Sequence, residues 1–130
     1  MKVHIGPYPK GERARKINIR IDKYDTWSMD STLALIIHPM LIQLKQTKHG
    51  SPWIDDEDVP EELRSTSAPP KENEWDTDDN HHARWDWVLD EMIWAFETHL
   101  DDESQFKVEL FGRKRNGFCL FGKYYQALWD

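Results

Sequence analysis

Between Glu74 and Phe96 the chain reads EWDTDDNHHARWDWVLDEMIWAF, which gathers four tryptophans, two adjacent histidines and a dense run of carboxylates. At helical spacing His82, Asp86 and Asp90 fall at successive i, i+4 positions on one face, with Asp78, Asp79 and His81 close by. Imidazole mixed with carboxylate is a donor set for a divalent metal, but spacing alone does not define an open coordination site. A solvated polar face with a charged first turn accounts for the same residues and is preferred. Asp90 and Glu91, on a ridge with Trp87 and Trp94, form the best acid–base pair, because apolar surroundings raise a carboxyl pKa. The DDED run at 55–58 lacks the glycine-pivoted loop of a calcium hand. There is no phosphate-binding glycine loop, nucleophile elbow, HExxH or CxxC, and the single Cys119 is expected as a small core residue. These absences move the weight from catalysis to binding, so no catalytic residue, metal or cofactor is assigned.

For binding, the sequence offers rings beside cations and hydroxyls. Trp27 follows Lys23 and Tyr24; Lys48 adjoins His49; Arg64 precedes Ser65, Thr66 and Ser67; Trp75 lies upstream of Arg84 and Trp85; Lys123 adjoins Tyr124. A nucleotide-sized ligand requires a stacking surface for its base and charged or hydroxyl donors for its phosphates. The Arg64 loop is the most suggestive cluster, although its hydroxyls also suit an ordinary turn.

The elements that must position these groups form one α+β domain spanning 1–130. Lys2 to Ile5 and the alternating RKINIRID at 15–22 predict an N-terminal β-hairpin, with Gly6-Pro7 and Lys10-Gly11 between the strands. Helical spacing from Trp27 to Thr47 predicts a first long helix, kinked or broken at Pro39. Residues 49–80 form a polar connection whose Trp53, Ile54, Val59, Leu63 and Trp75 are too apolar for a linker. It is expected as an ordered belt, with a helical turn at VPEEL.

A second long helix follows from about His81 to Leu100, capped by Asp78, Asp79 or Asn80. Trp85, Val88, Leu89, Met92, Phe96 and Leu100 form its core stripe. Trp87 and Trp94 make a second ridge, expected to meet the belt or another subunit and so to favour a homo-oligomer. FKVEL at 106–110 suggests a short strand. NGFCLFGKYYQALWD closes the chain as a helix with Phe118, Phe121, Tyr125 and Leu128 on one side.

The net charge of −7 divides as +5 over residues 1–50, −15 over 51–103 and +3 over 104–130. A dominant basic face is missing, which argues against a nucleic-acid partner. The expected arrangement sets the basic ends beside the acidic middle and lowers its self-repulsion. No run has the length of a membrane helix, and the N-terminus lacks the apolar stretch of a secretory signal, so neither a membrane partner nor export is expected.

The segments KYDTWSMDSTLALIIHPML, TKHGSPWIDDEDVPEELRSTSAPPKENEWDTDDNHHARWDWVLDEMIWAF and NGFCLFGKYYQALWD resemble a family of short proteins encoded by tailed bacteriophages. The resemblance covers most of the chain outside the first fifteen residues and residues 101–115, and it brings no established activity. It implies the cytoplasm of an infected bacterium and a role against host defence. In that setting the leading expectation is a sponge that binds a nucleotide-derived immune signal without cleaving it. Trp27 and Trp75 are its stackers, Tyr124 a ring or hydroxyl contact, and Lys48, Arg64, Arg84 and Lys123 its phosphate donors, with His49 and Ser65 completing the polar contacts. One alternative is an acidic interaction protein that inhibits a host enzyme, its −15 segment mimicking nucleic acid. A second is a metal-dependent hydrolase of a nucleotide signal, using His81, His82 and Asp86.

Overall fold

In the computed structural model, which describes residues 1–11 and 14–130, strands and helices follow the α+β order expected from the sequence. The strands β1 (Lys2–Ile5) and β2 (Ile17–Arg20) pair antiparallel, with Val3 opposite Ile19 and Ile5 opposite Ile17. Period-two alternation puts those four apolar side chains on one face and Lys2, His4, Asn18 and Arg20 on the other. Gly11 holds a φ of +74°, a backbone region that glycine enters without a Cβ clash. The N-terminal unit, Met1–Leu33, ends inside the first turns of α1 (Met29–Thr47).

Pro39 does not break α1, which runs uninterrupted through it. The ring removes one backbone donor, and the neighbouring turns carry the helix across. Only Ala34 and Leu41 of α1 are fully buried, while Leu35 and Met40 are exposed.

The second unit, Ala34–Asp130, holds the core. α2 (His81–Leu100) buries Trp85, Val88, Leu89, Met92 and Phe96, five of the six residues of its expected stripe. Leu100, the sixth, is partly buried against them. α3 (Phe111–Lys123) lies against α2 through Gly117, Leu120 and the following Tyr124. The two helices approach so closely at Gly117 that an added Cβ would stand 2.5 Å from the Ala95 Cβ and 2.7 Å from the Glu91 carbonyl oxygen. Phe118 and Phe121 meet Phe96 edge-on at 5.0 and 5.1 Å, an arrangement that suits the ring quadrupoles.

Four expectations are corrected here. FKVEL forms no strand: Val108–Leu110 is a 3-10 turn leading into α3, because no described strand lies beside it to complete a ladder. The last helix begins at Phe111, ahead of the expected Asn116, and a 3-10 turn at Tyr125–Ala127 follows it. Cys119 is exposed, since the face of α3 that meets α2 passes through Gly117, Leu120 and Tyr124. On the second ridge of α2, Trp94 meets α3 in place of the belt, with the Arg113 guanidinium 4.0 Å above its ring, while Trp87 is partly buried against the core.

The connection from 49 to 80 is an ordered belt of three 3-10 turns, Asp56–Asp58, Glu61–Leu63 and Ser65–Ser67. Ile54 and Val59 anchor it in the core, and Leu63 packs beside them. Among the described residues no helix is long and apolar enough to cross a membrane.

Candidate functional site

The belt bends around the start of α2 and leaves a concavity of about 600 Å³ lined by Trp53, Asp56, Ser65, Thr66, Pro69, Pro70, Lys71, Asp78 and Arg84, among others. Its floor is an ion pair. Arg84, 2% exposed, donates from both terminal nitrogens to Asp78, at 2.8 and 2.7 Å, and from one of them to the Leu63 carbonyl at 3.1 Å. The guanidinium beside Asp78 holds that carboxyl down to about 2, and the Asn80 backbone N–H adds to the effect from 2.9 Å. Arg84 thereby ties the belt to the first turn of α2; its Nε is buried without a partner. Asn80 reinforces the join by donating to the carbonyls of Glu62 and Arg64.

The Ser65 hydroxyl donates to Asp56, and the Ser65 backbone N–H donates to the same carboxylate at 2.8 Å, which lowers the Asp56 pKa. A hydroxyl whose proton is already given to a carboxylate has none left for a phosphate oxygen. Three aspartates, Asp55, Asp56 and Asp78, line the concavity against two cations, Lys71 and Arg84. A phosphate charge about 4 Å from one such carboxylate is opposed by roughly 1 kcal/mol in bulk water and roughly 4 kcal/mol at the effective dielectric of a protein surface.

Of the other expected donors, Lys48, His49, Lys123 and Tyr124 are matched to carboxylates, and neither these nor Arg64 line the concavity. Lys48 meets Asp86 at 2.8 Å. Lys123 sits among Asp58, Asp55 and Glu57 at 2.6, 2.9 and 3.3 Å, and these contacts raise its pKa. Beside it the Tyr124 hydroxyl donates to Asp58 and accepts from the Asp55 backbone N–H at 3.0 Å; burial is the larger cause that pushes its pKa up to about 12. His49 is exposed and joins Asp130 through its backbone N–H at 2.7 Å and its ring at 2.9 Å. Arg64 donates from Nε to the Val59 carbonyl within the belt.

Trp75 is 81% exposed on a belt turn, and Trp27 is equally exposed in the N-terminal unit. Of the nine expected binding residues, the concavity therefore brings together Ser65 and Arg84. Sequence reasoning did not assign Trp53, Thr66, Pro69, Pro70 and Lys71 to this wall. Trp53 immediately before the IDDED run was the one available signal, since a large ring in an acidic loop implies either burial or a contact face.

The histidines on α2 are tied down as well. His81 Nε2 lies 3.1 Å from the Ser51 carbonyl, so it is the protonated nitrogen that donates, and burial pushes its pKa down. His82 Nδ1 shares a hydrogen bond of 2.8 Å with the Ser51 hydroxyl. With Asp86 paired to Lys48, the His81, His82 and Asp86 group is not gathered around one point. Among the described residues the grouping with metal-ligand spacing is Asp55, Glu57 and Asp58, whose carboxylate oxygens lie within 4.8 Å of one another. The Lys123 ammonium is the cation they share. Asp90 and Glu91 are likewise paired, to Lys45 and Arg113.

The basic groups at 45, 48, 113 and 123 thus neutralise the acidic middle from within the second unit. Glu61, Glu62, Glu72, Glu74 and Asp79 have no ion-pair partner among the described residues and remain on the belt surface. Comparison with family models, curated proteins and solved structures finds no match to this chain.

Proposed function

We propose that the protein is a homo-oligomeric, non-catalytic interaction protein whose acidic belt holds a basic surface of a host protein in the cytoplasm of an infected bacterium. One observation carries this reading. Every cation expected to receive a phosphate, apart from Arg64, is already paired with a carboxylate, and among the described residues the belt charges without an ion-pair partner are predominantly acidic, with Glu61, Glu62, Glu72, Glu74 and Asp79 against Arg64 and Lys71. Residues 34–130 carry a net charge of −10, with ten Lys/Arg against twenty Asp/Glu. Such a field attracts basic partners, accelerates their encounter and repels phosphate-bearing ones. A surface that a nucleic-acid-binding enzyme presents to its substrate has the required charge.

Capture from a bacterial extract, followed by titration of the purified complex, tests the reading. The complex should weaken by at least tenfold between about 0.05 and 0.5 M salt, and duplex DNA should compete for the same partner surface. A partner that neither salt nor DNA displaces would contradict it.

Sequestration of a nucleotide-derived signal is the second reading, favoured by the concavity, where Trp53 offers a flat face beside the Thr66 hydroxyl and Arg84. It requires a base-dominated contact, with the phosphates directed toward Lys71 and away from Asp56. Calorimetric titration with a nucleotide panel separates the two readings: micromolar binding lost in Trp53→Ala supports sequestration.

A further inference from the structure

The concavity beside α2 shares Pro69, Pro70, Lys71 and Asp78 with a neighbouring recess of about 460 Å³, which Glu72, Asp76 and Asp79 also line. Together the two hold six carboxylates against two cations. Neither cation is free to repel an incoming one at full strength. Arg84 lies in the floor with its charge balanced by Asp78, and the Lys71 ammonium is drawn to the Glu74 carbonyl at 3.2 Å. Asp56 differs from the other two aspartates of the concavity. Asp55 is paired with Lys123 and Asp78 with Arg84, whereas Asp56 has no ion-pair partner among the described residues. Ser65 donates once to each Asp56 oxygen, which leaves a lone pair on both. Trp53, 68% exposed, lines the same concavity and is steadied by an edge-on contact with His81 at 4.9 Å. In the floor, Arg84 Nε is buried without an acceptor, and a buried donor left unpaired is costly.

An aromatic face, an ionised carboxylate with capacity on both oxygens and a donor in need of an acceptor suit one kind of occupant. An arginine stacks its planar guanidinium on an indole and gives paired N–H bonds to a carboxylate, while its peptide carbonyl is the acceptor that Arg84 lacks. A polyamine brings cations and no acceptor, and a phosphate meets Asp56 with the wrong sign. We infer that the concavity receives an arginine from a basic segment of the partner protein, its guanidinium between Trp53 and Asp56 and its main-chain carbonyl toward Arg84, with flanking basic residues over the neighbouring recess. The assignment rests on the acidic-belt reading above and names the group that the belt selects. A volume of about 600 Å³ admits one such side chain with the backbone that carries it. A desolvated arginine in a central pocket is also the kind of anchor that dominates an interface.

Nitrogen-15 NMR with the pentapeptide acetyl-Lys-Gly-Arg-Gly-Lys-amide tests this, with citrulline in place of arginine as the control that keeps shape and the outer charges. The arginine peptide should shift two side-chain signals together, the Trp53 indole N–H and the Arg84 Nε–H, and the citrulline peptide should bind at least about tenfold more weakly. Asp56→Asn, which keeps an acceptor for Ser65, should weaken the arginine peptide about tenfold, and Trp53→Ala about fivefold, with the amide spectrum away from the concavity unchanged. Glu61→Gln removes the same charge elsewhere on the belt and should weaken it less than about threefold. Equal weakening by Asp56→Asn and Glu61→Gln would overturn the concavity as the docking site and leave the belt's preference for basic partners standing. Agmatine has a guanidinium and an amine but no carbonyl, so it should bind more weakly and move Trp53 alone; agmatine binding as tightly as the peptide would assign the site to a free amine and overturn peptide docking. A peptide that moves neither signal would overturn the arginine site, and salt-sensitive capture of a protein partner then decides the belt reading on its own.

Discussion

Replacing Asp78 by Asn removes the charge that balances Arg84 while keeping the side chain's size. The two side chains are 7% and 2% exposed, so the guanidinium left behind cannot recover solvation by a small movement. Breaking a buried pair from one side costs about 3–5 kcal/mol. The titration of Asp78 gives a second, independent magnitude. Its folded pKa of about 2 lies below the ordinary aspartate value of 3.8. At 1.36 kcal/mol per unit, that depression corresponds to about 2.5 kcal/mol of stability.

Because the folded value is the lower one, the contribution is complete above pH 3.8 and is lost as pH falls toward about 2. Urea unfolding followed by circular dichroism at neutral pH should show Asp78→Asn less stable by 3–5 kcal/mol. The gap to wild type should shrink by about 1.8 kcal/mol between pH 4 and pH 2 and approach the full ~2.5 kcal/mol only between about pH 5 and pH 1. The double variant Asp78→Asn, Arg84→Met should recover part of the loss, since no guanidinium is then left buried without its counter-charge. A cost below about 1 kcal/mol, or a gap that does not change with pH, would refute the assignment of Asp78 and Arg84 as the clasp between belt and helix.

Three further outcomes follow from the same geometry. Tyr124→Phe should cost about 1–3 kcal/mol by leaving the Asp55 N–H without its acceptor, and hydrogen exchange at that amide should accelerate. Because the folded pKa of Tyr124 is raised to about 12, wild type should lose stability as pH rises from about 10 to 12, a step missing from the variant and visible by tyrosinate absorbance. Gly117→Ala should destabilise by at least about 1–3 kcal/mol in a thermal melt, because its methyl group meets a packed side chain and a backbone carbonyl. Lys123→Ala should leave Asp55, Glu57 and Asp58 facing one another without their ammonium; added calcium should then raise the melting temperature of the variant and leave the wild type unchanged.

What was legible in the sequence was local. The alternation of Ile17, Ile19 and Ile21 fixes which side chains share a face, and the stripe from Trp85 to Phe96 identifies the buried side of α2, because period and burial are coupled within one element. FKVEL shows the limit of that logic: its alternation is as clear as that of β2, but a strand also needs a neighbour, and a pattern within five residues cannot supply one. The binding residues failed to converge for a related reason. Lys123 and Tyr124 meet carboxylates 66 positions away, and His49 meets Asp130 across 81, so the pairing that occupies each donor is set by the tertiary fold. Composition nevertheless anticipated its sign, since an acidic middle flanked by basic ends lowers its free energy by pairing internally before it binds anything else.

The central claim is that the belt's free charge is net acidic and selects a basic protein over a phosphate-bearing ligand. Native mass spectrometry of the protein purified at low salt from bacterial cells tests it most directly, with denaturation to release whatever is bound. The account predicts an oligomer that carries a basic protein partner, released as salt is raised, and no nucleotide. A nucleotide recovered in fixed ratio to the oligomer, with its phosphates intact, would contradict it.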